Sequence, residues 1–155
     1  MTTENTINPE AKAENKPTFK ELGLPQAIQD TLESQGITTP TEIQEQAIPF
    51  ILEETKDLMA LAQTGTGKTA SFALPIIDDL ICKSPLDKDL QTLVIVPTRE
   101  LAIQIAKDFE VFSSGSGLKV ATLYGGQNIS LQFKDLRQKP QVVVGTPGRL
   151  VDHIR

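Results

Sequence analysis

The sequence is short of positive charge, has one cysteine and contains no long apolar run, and each shortage closes off a class of protein. Fifteen Lys and Arg face twenty Asp and Glu, for a formal charge of -5. No global basic field therefore draws the chain to nucleic acid or to anionic lipid, and any polyanion has to be met by local donors. A single cysteine cannot build a disulfide framework; set among Ile76, Ile77, Leu80 and Ile81, Cys82 reads as a free buried thiol in a reducing, cytoplasmic setting. No stretch approaches the ~20 apolar residues that a membrane-spanning helix requires, and the N-terminus is polar rather than signal-like.

What is present suffices for one compact domain. With 155 residues and 39% hydrophobic content, such a chain buries about two-thirds of its unfolded surface. Residues 1–17, rich in Thr, Glu, Asn, Lys and Ala, have little to bury and read as a disordered leader, which leaves 18–155 as the domain.

The stretch Ala62-Gln63-Thr64-Gly65-Thr66-Gly67-Lys68-Thr69 organises the rest. Upstream, Leu58-Met59-Ala60-Leu61-Ala62 fits a strand buried on both faces; downstream a helical pattern begins. A strand, a Gly-rich turn and a helix together offer phosphates a ring of backbone N–H donors and the positive end of a helix dipole. Gly65 and Gly67 let the main chain bend and approach the ligand. Lys68 supplies a mobile charge for the outer phosphates, and the Thr69 hydroxyl can complete the coordination of Mg²⁺. Ala62 stands where the usual pattern opens with Gly. A nucleoside triphosphate with Mg²⁺ is the expected ligand.

Strands and helices alternate around this loop. Leu24, Ile28 and Leu32 with Pro25 and Gly36 predict a helix over 25–35. Thr39 as cap, Pro40 as first helical residue and Glu42 as the far end of a capping box predict a second, ending near Ile48 or Pro49, with Ile43 and Ala47 facing the core. Gln44 lies beside that face. Alone it reads as a solvated residue, but its amide carries the donor and acceptor that match one edge of adenine. Lys68 to Lys83 reads as a helix with Pro75 inside it, followed by a loop over 84–89. Leu93 to Val96 is a buried strand; Thr98 caps a helix whose Leu101, Ile105, Phe109 and Phe112 form one stripe. Leu118 to Tyr124 is a third strand, Ile129 to Arg137 a short helix with Leu131, Phe133 and Leu136 turned inward to differing degrees, and Val142 to Val144 a fourth strand. A last helix starts at Thr146-Pro147. This order predicts an α/β fold with a parallel sheet flanked by helices.

In open α/β sheets, ligands gather beyond the carboxyl ends of the strands. Four strands here are expected to end in unusual punctuation along one rim: the Gly-rich loop, Pro97-Thr98-Arg99, Gly125-Gly126 and Thr146-Pro147-Gly148-Arg149. Two of these pair a capping Thr with an Arg in the first helical turn, an arrangement that attracts anions. The row fits a nucleic-acid strand held by its backbone. The competing reading is ordinary capping, with Arg99 and Arg149 paired to Glu100, Asp108 or Asp152. His153 reads as a surface or packing residue.

In this order and spacing the chain resembles the N-terminal part of a DEAD-box ATP-dependent RNA helicase. Phe19, Gly36 and Pro40-Thr41-Glu42-Ile43-Gln44 resemble the Q motif (36–44), Ala62 to Thr69 motif I, Pro97 to Ala102 motif Ia, Gly125-Gly126 the GG element and Thr146 to Arg149 motif Ib. The resemblance implies the first half of a RecA-like P-loop NTPase domain that uses ATP and Mg²⁺. It implies that Gln44 reads adenine with Phe19 supporting that pocket, and that Gln63, Thr64, Gly65, Thr66 and Gly67 line the phosphates. Lys68 and Thr69 would be the catalytic pair, Thr69 also holding the metal. Pro97, Thr98, Arg99, Gly125, Gly126, Thr146, Pro147, Gly148 and Arg149 would contact RNA through phosphates and sugars, without sequence preference. Ile37 departs from the pattern, since many members carry an aromatic there; only a weaker apolar contact to a base is left.

The resemblance also implies what this chain does not contain. The family's Asp-Glu-Ala-Asp motif, its Ser-Ala-Thr motif and its second RecA-like domain with the arginine fingers are not in the 155 residues. A P-loop without a metal-holding acid or a finger is expected to be nearly inert in phosphoryl transfer. In such sheets the strands of the two missing motifs lie between the P-loop strand and the strand before Pro97, so the P-loop strand is expected to lose its neighbour and its cover. Expected partners are RNA, the second RecA-like domain and ribosome or ribonucleoprotein components. A DNA translocase and a non-catalytic nucleotide- or RNA-binding module are the alternatives.

Overall fold

The computed structural model describes residues 16–53, 56–82 and 89–155. The expected leader over 1–17 and the loop over 84–89 lie almost wholly outside the described residues. The first helix, α1 (Gln26–Ser34), closes with Gly36 N–H donating to the Glu33 carbonyl and Ile37 N–H to the Leu32 carbonyl, both at 2.9 Å. These paired bonds satisfy the last carbonyls of the helix and fold Ile37 back over Leu32.

The second helix, α2 (Glu42–Glu53), begins later and runs further than the sequence predicts. Thr41 N–H donates to Gln44 Oε1 at 3.0 Å, so the half of the capping box that forms joins Thr41 and Gln44, not Thr39 and Glu42, and the Thr41 hydroxyl makes no hydrogen bond. Pro49 lies inside the helix. The apolar face continues past it, with Ile48 fully buried and Leu52 packed on the core, and packing outweighs the one lost backbone bond. The inward residues are Gln44, Ala47 and Ile48, while Ile43 is only half-buried.

Helix α3 (Lys68–Cys82) runs through Pro75. Cys82, expected to be buried, is exposed at its end, one turn beyond Asp78, whose charge raises the thiol pKa more than burial does. Then follow β1 (Thr92–Ile95), α4 (Arg99–Phe112), β2 (Val120–Leu123), α5 (Ile129–Leu136), β3 (Val142–Gly145) and α6 (Pro147–Ile154). The three strands are parallel in the order β1-β3-β2, with Val94 and Thr122 both level with Val144. Central β3 is buried along its whole length, as its unbroken Val run requires.

One face of the sheet meets the main core. Val142 and Val144 join Leu74 and Ile77 of α3, Ile105 and Phe109 of α4, and Ile28 and Leu32 of α1. The other face carries a smaller cluster in which Ala121, Leu123 and Val143 meet Leu150 of α6. At Gly145 the approach is so close that a Cβ would lie 2.7 Å from Leu150 Cδ2 and 2.9 Å from the Leu123 carbonyl oxygen. Only a residue without a side chain lets α6 turn back there.

The first expected strand, over Leu58 to Ala62, is not in the sheet; that segment runs without strand pairing. Met59 and Leu61 are 89% and 91% exposed, and Leu93 and Ile95 of edge strand β1 are 49% and 60% exposed. Without a neighbouring strand, Met59, Leu61, Leu93 and Ile95 lack cover, the loss that the sequence predicts. Among the described residues, no helix is long and apolar enough to cross a membrane.

Candidate nucleotide and nucleic-acid site

The Gly-rich turn sits between the unpaired segment and α3, and it is braced from α2. Gln44, 3% exposed, accepts from Thr41 N–H through Oε1 and donates through Nε2 to the Gly67 carbonyl at 3.1 Å. Gly67 has φ +84, and a Cβ there would lie 2.4 Å from Gln44 Nε2. The glycine is thus required twice, by the backbone conformation and by the amide pressed against it. Within the turn, Thr66 Oγ1 donates to the Gln63 carbonyl at 2.8 Å, and Lys68 Nζ donates to the Ala62 carbonyl across the mouth of the loop. Gln63, Thr64 and Gly65 are exposed at its tip.

Thr69 lies beside Asp108 of α4. Burial raises the Asp108 pKa, opposed first by the charge of Lys107 and then by a hydrogen bond from Thr69. No group of three or more His, Cys, Asp or Glu among the described residues is placed to hold a metal. A cleft of about 540 Å³ opens next to the loop, lined by Thr41, Ile43, Gln46, Leu61, Ala62 and Thr66 among others. Its size falls in the range of small-molecule sites. Gln44 lies behind its wall. Phe19 is not brought to this cleft: it is 5% exposed in the main core and borders a separate hollow with Ile37.

The other three punctuated turns line up at the carboxyl ends of β1, β3 and β2, adjacent in the sheet. Thr98 caps α4, its Oγ1 accepting from Leu101 N–H at 3.3 Å. Pro97, Thr98 and Arg99 are exposed, and so are Gly125, Gly126, Pro147 and Gly148. The Arg99 guanidinium stacks 4.9 Å above the Tyr124 ring, next to Gly126. Thr146 is the N-cap of α6 but its hydroxyl makes no capping bond, and no acid occupies the first turn.

Arg149 faces inward. Its Nη1 donates to the Gln127 carbonyl at 2.9 Å and to Gln132 Oε1 at 3.2 Å, and Nε lies 3.7 Å from Asp152. Of the anions considered from sequence, Asp152 is the one beside Arg149. His153 Nε2 lies 3.0 Å from the same Gln132 oxygen, and its ring meets Phe133 edge-on. Burial lowers the His153 pKa, the charge of Arg149 adds to this, and Asp152 opposes it.

Sequence reasoning missed Gln132. Leu131 and Phe133, expected inward, are 53% and 43% exposed, whereas Gln132 is fully buried. The signal was available: Leu131 and Phe133 stand two apart and cannot share a helix face, while Ile129, Gln132 and Leu136 stand three and four apart.

Comparison with known proteins places this geometry. The family model described as DEAD/DEAH box helicase matches residues 41–155. The chain is 48% identical over 142 residues to the ATP-dependent RNA helicase DeaD of Haemophilus influenzae, covering 91% of this chain and 22% of that protein. Among solved structures, a DEAD box protein from Methanococcus jannaschii aligns with a TM-score of 0.80 and 41% identity over 88% of this chain and 36% of its own. The DEAD-box helicase Mss116 bound to ssRNA and UDP-BeF aligns at 0.81 and 30% identity over 88% and 29%. The chain spans less than a quarter of the curated relative's length. The three-stranded parallel sheet with its flanking helices is part of a RecA-like domain, and the chain belongs to the DEAD/DEAH box helicase family.

Proposed function

We propose that this chain is the ATP-binding, RNA-gripping portion of an ATP-dependent RNA helicase that remodels RNA duplexes in the cytoplasm. The observation that carries the reading is the row of three exposed turns, 97–99, 125–126 and 146–148, at neighbouring strand ends of one sheet. Such a row offers backbone N–H groups and the Arg99 guanidinium to a phosphate backbone. The Mss116 structure, with ssRNA and a nucleotide analogue bound, supports the pairing of the two ligands.

In this reading the nucleotide lies in the cleft beside the P-loop, with its phosphates on residues 63–67. The amide of Gln44 uses one donor and one acceptor on Gly67 and Thr41; the N–H and lone pair left over are the complement of an adenine edge, and they reach a base once the cleft wall in front of Gln44 opens. Lys68 would leave the Ala62 carbonyl for the outer phosphates, and Thr69 would hold Mg²⁺ together with them. When bound, the metal supplies charge neutralisation on the phosphates. The side chains of this chain orient the nucleotide and do not themselves activate water.

The chain alone is accordingly proposed to bind ATP without useful turnover. The test is titration of the full-length protein with a fluorescent ATP analogue and labelled single-stranded RNA, with Lys68→Ala as the comparison. Saturable binding of both, lost for the nucleotide in the variant, is expected. No nucleotide binding by the wild type, or RNA-stimulated hydrolysis by the isolated chain, would overturn the reading.

A further inference from the structure

Gln132 is an amide where a helix of this pattern would carry an aliphatic side chain, and it is fully buried. Burying an amide is unfavourable by roughly 1–3 kcal/mol unless its hydrogen bonds are made. Here all four are. Nε2 donates to the Tyr124 carbonyl and to Gln127 Oε1, both at 2.9 Å. Oε1 accepts from Arg149 Nη1 at 3.2 Å and from His153 Nε2 at 3.0 Å. The donors and acceptors fix the amide's orientation, because the Tyr124 carbonyl can only accept and the guanidinium can only donate.

The partners matter more than their number. Tyr124 and Gln127 flank Gly125-Gly126, and Arg149 and His153 stand on the first two turns of α6, behind Thr146. A single side chain from α5 therefore joins two of the three turns on the rim, and Arg149 reinforces the joint by its own bond to the Gln127 carbonyl. Tyr124 also carries Arg99 on its ring, so the third turn is tied to the same point. A polar joint of this kind has one geometry, unlike apolar packing, which tolerates sliding.

We propose that Gln132 is a positioning residue for the RNA backbone: without touching RNA, it sets the spacing between the Gly125-Gly126 turn and the start of α6. This rests on the RNA-binding reading above. Backbone donors must match the phosphate interval to be useful, and a small displacement forfeits contacts made by both turns at once.

The experiment uses the full-length protein, with Gln132→Met as a variant of similar volume. Half-saturating RNA in the ATPase assay is expected to rise about tenfold, the size of one or two lost hydrogen bonds, while kcat at saturating RNA and affinity for a fluorescent ATP analogue stay within about twofold. Leu136→Ala, on the same face of α5 and packed on the smaller core, is the control: it should lower the melting temperature without moving the RNA requirement. Gln127→Ala, which removes one acceptor from the joint and is half-exposed, should shift the RNA requirement in the same direction if Gln132→Met does not fold. Unchanged RNA dependence in the Gln132 and Gln127 variants, or an equal rise in Leu136→Ala, would overturn the positioning role alone. Absence of RNA binding by the wild type would instead sink the RNA reading, and this inference with it.

Discussion

The side-chain amide of Gln44 holds the carbonyl of Gly67 at 3.1 Å, and the space a Cβ would need at Gly67 is filled by that same amide. The phosphate loop is thus shaped by a residue more than twenty positions upstream. Helix α2 can report to the loop, and the loop to α2, through one bond.

This relationship predicts failures of different kinds at its two ends. Gln44→Ala leaves the Gly67 carbonyl and the Thr41 N–H without their partner, at roughly 1–3 kcal/mol. Gly67→Ala forces a side chain into a left-handed position and onto the amide, and is expected to abolish nucleotide binding. Urea unfolding and titration with a fluorescent ATP analogue separate the two: Gln44→Ala should lose stability and bind more weakly, with reduced preference for adenine over guanine nucleotides. Equal preference change in Gln26→Ala, exposed on α1 and outside the cleft, would contradict the assignment to Gln44.

Gly145 makes a second packing prediction. Gly145→Ala meets both Leu150 and the Leu123 carbonyl oxygen and should destabilise the chain by about 1–3 kcal/mol, as overpacking does. Leu150→Ala in the same chain should restore part of the loss, because the backbone clash persists when the side-chain clash is gone. A double-mutant cycle in urea with no coupling between the two sites would show that α6 moves away freely.

How much of this was legible in the sequence follows from what each signal depends on. Apolar period and caps are local, so α1, α3, α4, all three strands of the sheet and the parallel order could be read within a few residues. The Gly-rich loop and the strand-end turns were legible because they are written in Gly, Pro and Thr, which act through their own backbone. What failed was set by distant partners. The local pattern puts Gln44 beside the core, yet it caps its own helix and braces a loop. No local signal marks Gln132 as a joint, because a buried amide is explained only by the carbonyl of Tyr124 and the guanidinium of Arg149. The segment 58–62 has the composition of a strand, but a strand needs a neighbour.

That unpaired region predicts behaviour in solution. Strand β1 presents Leu93 and Ile95 on an open edge, with Met59 and Leu61 exposed as well. Open apolar edges associate. The 155-residue chain is expected to show concentration-dependent self-association by sedimentation, and Ile95→Lys, which places a charge on the edge, should suppress most of it. A wild-type chain that stays monomeric at high concentration would show the edge to be harmless.

The joint beneath the rim predicts a pH dependence whose sign can be worked out. Gln132 Oε1 is an acceptor, so His153 donates from Nε2, and its Nδ1 is buried without a hydrogen-bond partner. Protonation would put a second N–H there with nothing to receive it, close to the Arg149 charge. Burial and Arg149 both lower the His153 pKa from 6.5; the folded chain favours the neutral ring, while the unfolded ring takes up its proton at the ordinary value. Stability from this group is therefore complete above 6.5 and declines as the pH falls through the lowered folded value. Asp78 and Asp108, raised by burial from 3.8, act with the opposite sign. Urea midpoints taken from about pH 7.5 down to about pH 5.5 should fall for the wild type and change less for His153→Phe, which keeps a ring against Phe133 but has no proton to gain. Parallel slopes for the two would assign the pH dependence to another group and leave the Gln132 joint insensitive to His153.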